Sequence, residues 1–376
     1  MKRVAIFLLC LCMIPGLLCG CAEAPEKSET SIDEWVPSHS MELEYARQFS
    51  VDYYEGGYKL ITVADSDRFL LIPEGGLMPE SLPEDVAILQ QPIENIYLAA
   101  TSAMGLFDAM DRLDALRLSG TRADNWYIEN ARLAMEDGSI LYAGKYSEPD
   151  YELILSEGCS LAIESTMIGF ASDVKAKLEE LGIPVLIDYS SYESHPLGRT
   201  EWIKLYAALL DEEEKAEALF EKQSSILDGL TGLDSTGKTV AFFHISSSGY
   251  VIARKSGDYV SRMIELAGGE YVFSDLGDPS TANATVTVEM EQFYATAKDA
   301  DYIIYNSTIG GELESLDELI SINGLLRDFK AVQNGKVWCT GQNMFQQTME
   351  LGQMIGDFHT MLTSSDAELE YLYKLE

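Results

Sequence analysis

Basic residues are scarce in this chain: 26 Lys plus Arg stand against 62 Asp plus Glu, a net charge of −36. That excess of carboxylates argues against nucleic-acid partners and against direct docking on anionic headgroups. Histidine is scarcer still, with four residues (His39, His195, His244, His359), too few for a metal site built largely of imidazoles. His244 falls among apolar neighbours and reads as a core residue. Six cysteines would suit a disulfide scaffold, but Cys10, Cys12, Cys19 and Cys21 crowd the N-terminus, leaving only Cys159 and Cys339 beyond it. Two buried thiols are expected there, and a cysteine metal site is excluded by the count. No HExxH, GxSxG or CxxC pattern occurs, and no cofactor motif survives scrutiny. After the first twenty residues no apolar run is long enough to span a bilayer.

What is present begins at the N-terminus. Lys2 and Arg3 precede an almost wholly apolar run over 4–18, placed as a secretory signal is. It ends in Leu18-Cys19-Gly20-Cys21, which resembles the cleavage site of bacterial lipoproteins. The resemblance implies a signal peptide over 1–20 and lipid on Cys21, with anchoring to the cell membrane. Residues 21–40 are polar and contain proline, as a flexible tether should.

The remainder is 47% apolar over a length that suits two domains. Strand-like segments at 58–63, 69–72, 96–99, 116–118, 160–163 and 185–187 alternate with helical ones, which points to a parallel sheet with crossover helices. From 200 to about 230 the periodicity is helical and free of proline, with Asp211 able to cap a second segment. A second alternating series starts at 240–245 and closes with a helix over 349–361. The expected fold is α/β: two Rossmann-like lobes, 41–198 and 233–376, joined by a long α-helix over 199–232.

Gly232-Leu-Asp-Ser-Thr-Gly237-Lys238-Thr239 matches the phosphate-binding loop letter for letter. That chemistry needs a strand before the loop and a helix after it, so that backbone N–H groups and the helix N-terminus face phosphate. Here the order is reversed, and an interlobe loop is expected. Asn283-Ala-Thr285 and Asn306-Ser-Thr308 fit the glycosylation pattern, with no modification expected in a bacterial lipoprotein.

Several stretches together resemble the class III substrate-binding proteins of ABC importers for ferric siderophores, haem and cobalamin. They are Gly144 to Glu152 followed by Cys159 to Glu164, Gly257 to Gly269, Val286 to Tyr294 with Ala300 to Tyr305, and Ala331 to Trp338. The sequence departs from the family pattern at Glu157-Gly-Cys-Ser-Leu-Ala162, and its N-terminal strands are longer. The resemblance implies a monomeric receptor without catalysis that delivers a metal chelate to a permease dimer with its ATPase. It also implies that one surface glutamate per lobe, Glu152 and Glu291 (with Glu289 a rival), pairs with permease arginines.

Loops at strand C-termini should line the cleft. This places Met104, Trp126, Tyr127, Lys145, Tyr146, Thr166, Tyr192 and His195 on one side and Ser248, Tyr250, Arg254 and Asn306 on the other. Alternatives left open are a zinc or manganese receptor of the same broad fold, a lipid-anchored hydrolase, and a sensor or adhesin without a transporter. If Cys21 carries the anchor, Cys21→Ala should move the protein from the membrane to the soluble fraction on ultracentrifugation. Unchanged membrane partition would remove the lipid.

Overall fold

The computed structural model describes residues 35–79, 81–230, 232, 234–278, 285–364 and 368–376. The leader, Cys21 and the first part of the expected tether lie outside the described residues. Among the described residues, two lobe sheets carry the chain from residue 96 onward. The first has five parallel strands in the order Val185–Asp188, Ala162–Ser165, Ile96–Leu98, Leu116–Ser119, Leu141–Tyr142. The second is built on Lys238–Ile245, which runs parallel to Tyr302–Tyr305, itself parallel to Val337–Thr340. On the other side Lys238–Ile245 pairs antiparallel with Val251–Arg254. The crossover segments are helical as their periodicity requires, and Asp150 caps Tyr151–Ser156 by accepting from the Leu153 N–H at 3.0 Å.

The sequence reading did not separate a third sheet. His39–Ser40, Phe49–Tyr53, Lys59–Val63, Asp67–Ile72 and Val86–Gln90 form a five-stranded sheet of their own, antiparallel except for the last pair. An irregular segment over 41–48, a single 3-10 turn at Glu55–Gly57 and a tight turn over 64–66 join its first four strands with no crossover helix, so antiparallel pairing follows. Ala64 and Asp65 take φ of 50° and 57° in one of those turns. The described end of the expected tether is thus structured: His39 and Ser40 pair with Tyr53 and Asp52.

The expected interlobe helix is three helices, Pro196–Glu201, Ile203–Leu210 and Glu213–Leu230. Asp211 breaks the run with a left-handed φ of 58°. Every residue of Ile203–Leu210 is buried, as expected of a helix that is almost apolar all round; its one charge, Lys204, pairs with Glu201 and Glu217. The N-terminal sheet covers one side of it, with Phe49 meeting Trp202 edge-on at 5.1 Å.

Polar contacts fix that docking. Glu201, fully buried, accepts from the backbone N–H groups of Glu44, Tyr45 and Ala46, each at 2.8 Å. Glu193, also buried, accepts from the N–H groups of Arg47 and Gln48 at 2.9 Å and from the Trp202 indole at 3.0 Å. At the far end Lys59 donates to the Ala208 carbonyl at 2.8 Å and to Asp211 at 2.7 Å, beside Glu213 at 2.5 Å. Breaking such an arrangement strands buried donors, at a cost of about 3–5 kcal/mol. Glu201→Ala should therefore lower the melting temperature by roughly 5–10 °C, while Glu201→Gln, which keeps an acceptor, should lose less. Equal melting of Glu201→Ala and the parent would contradict the role given to this carboxylate.

Candidate ligand-binding site

In both lobe sheets the first strand is central, and the chain winds first to one side of it and then to the other. Ligand crevices in such sheets open at the strand C-termini beside the point where the winding reverses. In the first lobe that point lies between Ile96–Leu98 and Ala162–Ser165; in the second, between Lys238–Ile245 and Tyr302–Tyr305. The loops that follow these strands carry exposed apolar side chains: Met167 and Phe170 in the first lobe, Tyr250 and Ile309 in the second. Phe170 is 85% exposed and Ile309 59%. Tyr127 and Tyr192, on neighbouring loops, are exposed as well.

One edge of this mouth is closed by hydrogen bonds between the lobes. The Gln346 side chain accepts from the Tyr127 N–H at 2.7 Å and donates to the Asn125 carbonyl at 2.8 Å. Thr200 donates to the Thr348 carbonyl at 2.9 Å in the same region. Gly105 is required here, because a Cβ on it would stand 2.7 Å from the Gln346 carbonyl oxygen.

Positive charge is concentrated below. Arg254 is 7% exposed, its guanidinium 5.2 Å from the Phe345 ring and 3.4 Å from Asp258. Arg199, also buried, lies over the Tyr259 ring at 4.0 Å, and its Nε has no hydrogen-bond partner. The field of both arginines reaches Asp258. One carboxylate against two guanidiniums leaves positive charge uncompensated, since arginine stays protonated. His244 lies near Arg254, and burial together with that charge lowers its pKa.

The chain matches the periplasmic binding protein family over residues 118–344. It belongs to that family. Its fold is that of the class III members, and solved structures under 25% identical speak for the fold alone. The petrobactin-binding protein YclQ from Bacillus subtilis matches with a TM-score of 0.57 at 13% identity, over 87% of this chain and 100% of that one. The periplasmic haem-binding protein HutB of Vibrio cholerae gives 0.57 at 18%, over 70% and 97%. Two uncharacterized lipoproteins of Methanocaldococcus jannaschii are each 25% identical to it. The alignments cover 96% of this chain and 92% of the first protein, and 99% of both for the second.

Within this binding-protein frame the expected ligand residues separate into three groups. Tyr127, Tyr192, Ser248 and Tyr250 are exposed on the loops at the mouth, and Thr166 is half-buried beside Met167. Arg254 and Asn306 are buried beneath the rim rather than on it. Lys145 and Tyr146 sit on a small hairpin, Gly144–Lys145 with Glu148–Pro149, where Lys145 pairs with Glu148 at 3.2 Å.

Three expectations are corrected. Met104 begins the helix Met104–Ala109 and is fully buried in the main core. Trp126 is buried, its side chain facing inward while Tyr127 faces out. His195 caps Pro196–Glu201 by accepting from the Leu197 N–H at 3.2 Å, and its ring stacks on Tyr45 at 4.2 Å. It anchors the N-terminal segment through its Nδ1 and ring face. Sequence reasoning missed Arg199, Phe170, Ile309 and Gln346. Arg199 hid inside an expected helix, and the other three were legible only as apolar or amide residues after strands.

Elsewhere the binding protein agrees with the reading. The 232–239 segment leads from the helix Glu213–Leu230 into the strand Lys238–Ile245, the order that denies it a phosphate-loop role. Cys159 and Cys339 are unpaired, the second buried as expected and the first half-buried, and desolvation pushes both thiols up to about 11. Glu152 and Glu291 are exposed in the first turns of Tyr151–Ser156 and Met290–Ala297.

Burial, helped by the charge of Arg262 and opposed by Glu201, lowers His195 from 6.5 to about 4. A folded pKa below the unfolded one favours the neutral ring, so its contribution is complete above pH 6.5 and is lost as pH falls towards 4. His195→Asn, which retains a cap acceptor, should flatten the decline in stability across that window in urea titrations. A decline as steep as the parent's would contradict the buried, neutral cap.

Proposed function

We propose that this chain is an extracytoplasmic receptor, anchored by lipid on Cys21, that captures a metal chelate between its lobes for an ABC permease and its ATPase. The observation that carries the reading is the mouth itself, where exposed Met167, Phe170, Tyr250 and Ile309 surround the two reversal points above a buried Arg199–Arg254 pair. Flat, partly apolar ligands suit aromatic and methionine walls. The uncompensated arginines favour a chelate bearing anionic oxygens, as ferric siderophores and haem do, ahead of a corrinoid. The solved relatives named for petrobactin and haem point the same way, as do the lipoprotein relatives for the anchor. No catalytic chemistry and no resident cofactor enter this reading.

Glu152 and Glu291 are assigned to permease docking. Both are exposed at helix starts, one in each lobe. Carboxylates on two firmly placed elements fix a docking register and steer encounter with a basic partner. Charge reversal of both (Glu152→Arg with Glu291→Arg) should leave ligand affinity unchanged and abolish transport; transport at the parental rate would refute the assignment.

Calorimetric titration of the protein with haem, cobalamin and ferric siderophores tests the capture step. Saturable binding to one anionic chelate is expected, weakened about tenfold or more in Arg254→Gln by loss of a charge-assisted hydrogen bond. Silence from the folded protein across the whole panel would overturn the chelate.

A further inference from the structure

A cavity of about 760 Å³ lies beside the outer face of the N-terminal sheet, between the segment before its first strand, the 54–58 turn and the 77–79 loop, and is lined among others by Trp35, Tyr54, Tyr58, Leu77 and Met78. Trp35 stands edge-on to Tyr54 and to Tyr58, each at 5.4 Å. Around it Val36 is 85% exposed, Leu77 81% and Met78 55%. Among the described residues, Glu55 is the one charged residue in its lining, in a chain with 62 acidic residues. A charge-poor apolar patch on so acidic a surface marks a contact. It belongs to a different sheet from the ligand mouth, and the inner face of that sheet is already covered by the interlobe helices.

The chain leading to the patch decides its occupant. Thirteen residues, 22–34, separate Cys21 from Trp35, and Ile32 is the only large apolar residue among them. They lack the apolar surface to fill the groove themselves. Fully extended, they reach about 50 Å at most, which keeps the patch beside whatever holds Cys21. Trp and Tyr favour the headgroup level of a bilayer, where the ring is apolar and its polar tip stays wet. Exposed Leu77, Met78 and Val36 supply the side chains that enter the acyl boundary.

We propose that this patch is a membrane seat, which lays the N-terminal sheet against a zwitterionic lipid surface and so supplements the anchor. The inference rests on the reading of Cys21 as the lipidated residue. Exposed Glu55 in its lining sets its preference against anionic lipid.

The test uses the chain from residue 21 onward with Cys21→Ala, which carries no lipid, and phosphatidylcholine vesicles with brominated acyl chains. Trp126, Trp202 and Trp338 are buried, so bromine quenching reports Trp35. Quenching that saturates with lipid is expected. It should fall about tenfold in vesicle affinity with Leu77→Glu and Met78→Glu together, since these exchange exposed apolar side chains for charges at the interface. Replacing a third of the lipid by phosphatidylglycerol at low salt should weaken it further. The circular dichroism of the double variant should match the parent, both positions being exposed.

Absent quenching, or quenching indifferent to the double variant, overturns the proposal. So does a concentration-dependent dimer, without vesicle binding, that the double variant dissolves, because the patch would then serve a second copy. Vesicle binding that persists after Cys21→Ala proves neutral in cell fractionation would remove the anchor and leave the seat standing.

Discussion

Five consecutive backbone N–H groups, from Glu44 to Gln48, are held by two buried carboxylates, Glu201 and Glu193. The rest of the structure depends on this clamp. A buried carboxylate is expensive unless its oxygens are saturated with donors. Here five of the donors come from a single extended segment, with the Trp202 indole and Lys204 beside them, so desolvation is fully offset only if that segment lies in one register. His195 stacked on Tyr45 and Trp202 beneath Phe49 complete the same junction from the apolar side. Gly198 is constrained there too, since a Cβ on it would approach the Tyr45 carbonyl oxygen to 3.2 Å. The stretch 193–204 therefore recognises the N-terminal segment and at the same time forms the start of the connection between the lobes.

That double duty has a consequence for the cleft. The connecting helices are pinned on one side by the clamp and by Lys59 at the Asp211 break, and on the other by the Thr348 carbonyl of the second lobe, while Gln346 joins the second lobe directly to the first. A crossing held by buried polar contacts is expected to resist wide hinge motion. Arg199 lies within the pinned stretch, so the floor of the site inherits its placement from the same contacts.

Much of this was legible in the residues. The alternation of apolar strands with capped helices placed the lobe strands it named to within a residue or two, as at 185–187 against Val185–Asp188 and 240–245 against Lys238–Ile245. The helix–loop–strand order expected around Gly232 is the order observed. The N-terminal sheet escaped because its strands have the same short apolar pattern as lobe strands, and period alone does not say which sheet a strand joins. The break at Asp211 was read as a cap within one helix; the left-handed backbone that turns the chain there has no apolar signature. Site residues divided along one physical line. Exposed aromatics on loops, Tyr127, Tyr192 and Tyr250, could be read from composition and position. Met104 and Trp126 could not be told from them, because one residue along a loop exchanges an outward side chain for an inward one. His195 was drawn to the site by its loop, yet a histidine just before proline is as well placed to cap a helix as to bind a ligand.

Native-state hydrogen exchange at the amides of residues 44–48 tests the clamp most directly. These amides lie outside regular secondary structure, so only the Glu193 and Glu201 carboxylates protect them. Exchange as slow as that of the central strand Lys238–Ile245, opening only with global unfolding, is the predicted result. Exchange within seconds, as in an exposed loop, would contradict the clamp and with it the fixed cleft.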